Sequence, residues 1–332
     1  LLLLLAMLGG VLPTPTRGQT PAGGPDGAAP GGLSDHGARA DSPRPARASF
    51  TLRVGGQPVP LRILGIAILP EGEVQIRREG AAGGRLSARS DGGRLRQESD
   101  DAWRWTAPPE PGFHTVRVMA SQPADTIRVV FMVVRPSSEI RDGVLNGYRI
   151  GSYRPRLPSM SPAYEPPRGF IEARPEDYDL RISPNFRLGD FLCKQPGDPR
   201  YLLVSPRILI KLEALLLAVN EAGYVTPSLT VMSGFRTPAY NRAIGNTTDF
   251  SRHLWGDAAD VYVDVDGDDQ MDDLNRDGRS DVGDARWLAR VVEEMMTSEE
   301  GRPTPGGLSV YRRNQAHGPF VHIDARGRRA RW

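Results

Sequence analysis

From about Ser49 to Arg135, apolar and polar residues alternate in short runs, among them FTLRV, EVQIRRE, WRWTAP, HTVRVMA and TIRVVFMVV. A period of two sends one face of a strand inward and the other toward water, and Gly, Pro and Asp punctuate the runs at turn spacing. The pattern predicts an all-β, immunoglobulin-like sandwich over residues 49–136 with antiparallel strands. VPLRILGIAIL is read there as a single run.

The period changes after Ser205. Ile208, Leu209, Leu212, Leu215, Leu216 and Val219 recur at helical spacing, which is core packing. Ser205 offers an N-cap, Pro206 suits the first turn and Gly223 stops the helix. SLTVMS, AADVYV, GGLSVYR and GPFVHIDAR read as strands; GFRTPAYNRAIG leads into a short helix, and DARWLARVVEEMM is a second amphipathic one. Helices and short strands mix without a βαβ rhythm, so residues 200–332 are expected to form an α+β domain. Residues 137–199, dense in proline and aromatics, are expected to be an irregular connector packed on a neighbouring domain.

Composition changes the picture at the front of the chain. LLLLLAMLGGVL is too short an apolar run to span a bilayer, and residues 1–16 are expected to be a truncated signal-peptide h-region. Residues 17–48 are rich in Pro, Gly and Ala with almost no large apolar side chains, the signature of a disordered linker. Together these predict a periplasmic or secreted bacterial protein with no stable membrane span once the signal is removed. The lone cysteine, Cys193, excludes an intramolecular disulfide and, among apolar neighbours, is expected to be a buried thiol. A net charge of +2 gives no argument for a nucleic-acid partner. A protein partner for the sandwich is left unknown.

The chemistry concentrates late in the chain. His253 and Asp260 stand in a His-x6-Asp spacing, with Gly256 between them to permit a tight turn, and His322 lies in the strand-like FVHID. Two imidazoles and a carboxylate with an open fourth position suit a catalytic zinc ion. By spacing alone, two histidines and an aspartate so far apart are more often unrelated.

SGFRTPAYN, SRHLWGDAADV and FVHIDARG, in that order, resemble the serial motifs of the M15 family of zinc peptidases, which includes D-Ala-D-Ala carboxypeptidases and murein endopeptidases of bacterial cell walls. The closing segment is similar to a periplasmic branch of that family. The resemblance covers residues 200–332 and implies an M15/hedgehog-type fold, a peptidoglycan peptide substrate, and His253, Asp260 and His322 as zinc ligands. It implies that Arg236 faces the active site, where its fork suits a substrate carboxylate or a developing oxyanion. Ser251 is expected to orient a zinc ligand, and Ser233 and Asn241 to hold the Arg236 loop. The chain departs from the family's pattern at the catalytic base: Pro319 stands where many relatives carry Glu, and Phe320 where others carry His. Asp324 is then the first candidate for the base and His317 the second. Besides a zinc peptidase, the sequence admits a catalytically inactive, metal-holding cell-wall-binding module, and an adhesion protein built on the sandwich.

Between Asp260 and the second helix runs DVDGDDQMDDLNRDGRSDVGD, which the resemblance leaves unexplained. Asp273, Asn275, Asp277, Arg279 (by its carbonyl), Asp281 and Asp284 fall at positions 1, 3, 5, 7, 9 and 12 of an EF-hand or dockerin loop, with Gly278 at the sharp turn. A calcium-loop insertion over residues 264–284 is therefore expected, with the half-copy Asp264, Asp266 and Asp268 unassigned.

Overall fold

The structure, a computed structural model, describes residues 42–80, 84–298 and 304–332. The expected signal segment, and the linker as far as residue 41, lie outside the described residues. The linker's last residues do not behave as a free tether. Arg44 N–H donates to Asn185 Oδ1 and Asn185 Nδ2 to the Arg44 carbonyl, and the first strand starts at Arg47. No helix among the described residues is long and apolar enough to cross a membrane.

Nine strands follow in order: β1 (Arg47–Val54), β2 (Gln57–Leu61), β3 (Ile63–Ile68), β4 (Glu73–Glu79), β5 (Leu86–Ser90), β6 (Arg94–Ser99), β7 (Ala102–Thr106), β8 (Gly112–Ser121) and β9 (Ala124–Val133). They form two sheets, ordered β2-β1-β4-β7-β6 and β3-β9-β8-β5. The alternating side chains of both meet in one core, where Trp105 of β7 stacks on Phe131 of β9 with ring centroids 4.1 Å apart. Two sequence expectations change here. The run read as one strand breaks at Arg62, so that β2 and β3 lie in different sheets, and β3 pairs with β9 in parallel rather than antiparallel.

The connector is more ordered than its composition predicts. Strands β10 (Arg135–Pro136), β13 (Gly169–Ala173) and β14 (Arg200–Leu202) form a small antiparallel sheet, and β11 (Val144–Leu145) and β12 (Tyr148–Arg149) a hairpin. It touches both neighbours. Gly65 N–H in β3 donates to the Ile182 carbonyl at 2.7 Å, and Phe235 N–H to the Phe191 carbonyl at 3.0 Å. Cys193 is buried within it, as its neighbours predict.

Beyond it lie α1 (Pro206–Glu221), β15 (Thr230–Ser233), α2 (Pro238–Ala243), β16 (Ala258–Tyr262), α3 (Val282–Thr297), β17 (Gly307–Tyr311), β18 (Phe320–Asp324) and β19 (Ala330–Arg331). Ser205 caps α1 by accepting Arg207 N–H, and Pro206 opens it. The strands form one sheet ordered β15-β16-β18-β17-β19, with α1 and α3 packed together and α3 against β17 and β18. Alternation then decides what faces where: Ala259, Val261, Val321 and Ile323 belong to the apolar core, while Asp260 and His322, register partners across β16 and β18, share the other face.

The acidic stretch between β16 and α3 is where the calcium loop is expected. Its carboxylates close turns on backbone N–H groups. Asp273 accepts from Asp277 and Gly278, Asp277 from Arg279, and Asp281 caps α3 by accepting from Gly283. Asp284 is fully buried, with both oxygens accepting backbone N–H, from Leu274 and Asn275 on one and Asp281 on the other. It staples the loop to the helix as half of a capping box. Asp273, Asp277, Asp281 and Asp284 do not bring three carboxylates within ligand distance; among the described residues, Asp264, Asp266 and Asp272 do. Asn275 likewise accepts Asp277 N–H, and Arg279 is exposed on the loop. The calcium expectation is thus not carried by this geometry: these aspartates serve their own backbone.

Candidate metal centre

His253 sits on a 3-10 turn, Arg252–Trp255, that ends at Gly256. Gly256 has φ +65°, and a Cβ there would lie 2.3 Å from the Leu203 carbonyl oxygen, so only glycine brings the turn into β16 this tightly. The connector clamps the turn from beneath. Tyr153 Oη donates to the Leu254 carbonyl at 2.6 Å, Trp255 Nε1 to the Glu165 carbonyl at 2.8 Å, and the Arg252 guanidinium lies 4.3 Å over the Tyr164 ring. Arg252 is itself held by a buried fork to Asp257.

This support brings His253, Asp260 and His322 to one point, all buried. His253 Nε2 is 3.2 Å from Asp260 Oδ1, His322 Nδ1 is 2.8 Å from the same oxygen, and the two ring nitrogens are 3.1 Å apart. Each imidazole turns its other nitrogen to an acceptor: His253 Nδ1 donates to the Gly234 carbonyl at 2.6 Å, and His322 Nε2 lies 3.5 Å from Asp324 Oδ2. The three inward atoms are therefore lone-pair donors crowded together in a dry site. Only a cation or a proton among them offsets their repulsion. Burial and charge divide the two imidazoles. Burial lowers His253, more than Asp260 raises it; burial also lowers His322, but hydrogen bonds to Asp260 and Asp324 outweigh that and raise it. Burial works to raise Asp260, yet His253 and His322 hold it far below the usual carboxylate range. His322 Nδ1 and Asp260 Oδ1 are within hydrogen-bond distance of one another, and a divalent metal ion would satisfy all three atoms. The donor set fits a zinc-type ion, which binds deprotonated N and O ligands and displaces such protons.

Residues 185–284 match the sequence profile of the family described as Peptidase M15. The match supports an M15-type peptidase domain in this part of the chain. No curated protein and no solved structure matches the chain at a significant level. The M15 match starts at residue 185, within the segment that composition assigns to the connector, and includes His253 and Asp260 but stops short of His322.

Several roles change around this M15 centre. Asp324, first candidate for the catalytic base, sits behind His322 and away from the inward-facing atoms. It is fully buried, accepting Gly307 N–H at 2.8 Å and both Nε and Nη2 of Arg326. Burial works to raise it, but His322, Arg326 and the Gly307 amide hold it well below its usual range. An aspartate so placed orients His322 and has no route to substrate. His317, the second candidate, lines the cavity over the centre. Its Nδ1 donates to the Gly318 carbonyl, leaving the Nε2 lone pair, which accepts from Asn314 Nδ2 at 2.8 Å. Arg236 lines the cavity too, but its Nη2 is bound to Asp260 Oδ2 and its Nε donates to Ser233 Oγ at 2.8 Å. It is more a brace for Asp260 than a free fork. Ser251 lines the same cavity, while the Gly234 carbonyl, not Ser251, orients His253. Asn241 holds the carbonyls of Asn246 and Thr248 in the loop before Ser251, not the Arg236 loop.

Sequence reasoning missed Lys211. It lies on the apolar stripe of α1, three residues beyond Ile208, and is fully buried with Nζ donating to the Asp324 carbonyl at 2.7 Å. A charge on a helix stripe otherwise made of Ile and Leu is the signal that marks it. It missed Trp332 as well, whose ring lies 5.2 Å from that of His322 and beneath the Arg326 guanidinium.

Burial pulls the Lys211 ammonium down from 10.5 to about 8, with Asp324 only partly offsetting it. A lysine whose folded value is depressed destabilises the fold while protonated, and that penalty fades as pH rises from the folded value toward the unfolded one. From pH 8 to about 10 the wild type is expected to gain about 2 kcal/mol on Lys211→Met, followed by denaturant unfolding of the metal-free proteins. A difference that stays flat across that window would mean that the ammonium is not desolvated.

Proposed function

We propose that this chain is a zinc-dependent peptidase that hydrolyses peptide bonds of peptidoglycan stem peptides outside the cytoplasm. The observation that carries the reading is the convergence of His253 Nε2, Asp260 Oδ1 and His322 Nδ1, each imidazole held by an acceptor on its far side. Support also comes from the M15 match, a family of zinc-dependent peptidases associated with peptidoglycan. Zinc bound there supplies a Lewis acid that polarises a carbonyl and acidifies water. His253, Asp260 and His322 would hold it, Arg236 keeps Asp260 aimed, and Asp324 fixes the His322 ring. His317, which lines the cleft, is the candidate proton acceptor, with Asn314 Nδ2 donating to its Nε2. The two-sheet unit of residues 47–133, with one outer strand of each sheet, β2 and β3, adjacent in sequence, we read as an immunoglobulin-like module that presents the peptidase to the wall.

An inactive metal-holding module is the second reading, favoured by Pro319 and Phe320 where relatives carry a base. Incubating the zinc-loaded protein with a muropeptide digest and reading the products by mass spectrometry separates the two. New products that vanish in His253→Ala are expected. An unchanged digest at full zinc loading would leave the binding module standing.

A further inference from the structure

The cavity over the metal centre, about 770 Å³, does not end at Lys194. A second cavity of about 380 Å³ shares Lys194, Met232, Ala316 and His317 with it and is lined further by β15 and by Asp269, Gln270 and Met271, so that Lys194 is the one cation and Asp269 the one carboxylate of its lining. At the opposite end the first cavity reaches Tyr240, Ile244 and Phe250. The cleft is thus a groove with room for chain beyond the centre, not a blind pocket.

Its cations are disposed to match. Four line the larger cavity: Lys194, Arg236, Arg252 and Arg326. Three are neutralised by carboxylates that are themselves buried, Arg236 by Asp260, Arg252 by Asp257 and Arg326 by Asp324. Lys194 is exposed and stands at the waist the two cavities share. Its turn is anchored by buried Phe191 and Cys193 and by the hydrogen bond from Phe235 N–H to the Phe191 carbonyl. Removing a terminal residue calls for a blind end with an uncommitted cation to hold the terminal carboxylate. Here the uncommitted cation sits part-way along an open groove.

Resting on the peptidase reading, we infer that the chain cleaves internal bonds of an extended acidic peptide, with Lys194 as a specificity-determining residue that holds a side carboxylate near the scissile bond. The chain's M15 centre then works on amides flanked on both sides, such as those of cross-linked stem peptides.

The test uses the zinc-loaded full chain and three synthetic substrates. One is a stem peptide extended by several residues on both sides and amidated at its C-terminus. The second is the same peptide with its side carboxylates converted to amides, and the third is an unextended stem peptide with a free C-terminus. Internal cleavage of the first is expected. Lys194→Met is expected to raise KM for it about three- to fivefold, the range of a solvent-accessible ion pair, and by less than half that factor for the amidated analogue. Loss of only the last residue from the third peptide, with the first left intact, overturns the inference while the peptidase reading stands. An equal KM change on the acidic and amidated peptides removes Lys194 from the assignment. If none of the three is cut, the peptidase reading falls and takes this inference with it.

Discussion

Asp260→Ala is expected to lower kcat/KM by more than about a hundredfold, the upper end of what changes one shell farther from a metal cost. The carboxylate does three things at once. Its Oδ1 meets both His253 Nε2 and His322 Nδ1, its Oδ2 receives Arg236, and its negative charge faces both inward ring nitrogens. The alanine leaves two imidazoles to hold a divalent ion and strands a guanidinium whose side chain is only 13% exposed. Zinc content after dialysis and the rate of muropeptide product release measure the effect. Full zinc content with full activity in a folded variant would exclude Asp260 from the centre.

Asp324→Ala is expected to act differently, and the difference tells a positioning residue from a base. Its removal leaves the Arg326 guanidinium, the Gly307 amide and His322 Nε2 without their buried acceptor. Breaking a buried pair from one side costs about 3–5 kcal/mol, and loosening a metal ligand's support weakens metal affinity about 10–100-fold. Unfolding curves and zinc titration are both expected to move, and Asp324→Asn, which keeps the shape, to move them less. A general base gives the opposite result: intact stability and zinc affinity with kcat alone reduced. That outcome would return Asp324 to the reaction.

The way these two residues were legible in the sequence is instructive. His253, Asp260 and His322 could be named because metal chemistry restricts ligand types and the motif order resembles M15. The role of Asp324 could not. Both His322 and Asp324 point to one face of β18 by alternation, and nothing local says that the Arg326 fork and the Gly307 amide close over the second carboxylate. The acidic stretch after Asp260 is ambiguous for a related reason. Aspartates at calcium spacing and aspartates at turn-capping spacing share a pattern, since both chemistries ask for a short oxygen donor near a glycine turn. The structure shows Asp281 and Asp284 as a capping box, with Asp284 buried.

By itself the sequence determined what is local: the capped helix α1 with its apolar stripe, the alternation that marks the strands, the turn at Gly256 and the donor types of the centre. These depend on backbone preference and side-chain period, which act over a few residues. Only the tertiary structure decided which sheet β3 joins, that the connector clamps the His253 turn, that Arg236 braces Asp260, and that the groove runs on past Lys194. Those outcomes rest on contacts between residues 24 to 101 positions apart. Their energies come from burial and from pairing charges away from water, and neither exists until the chain has closed around them.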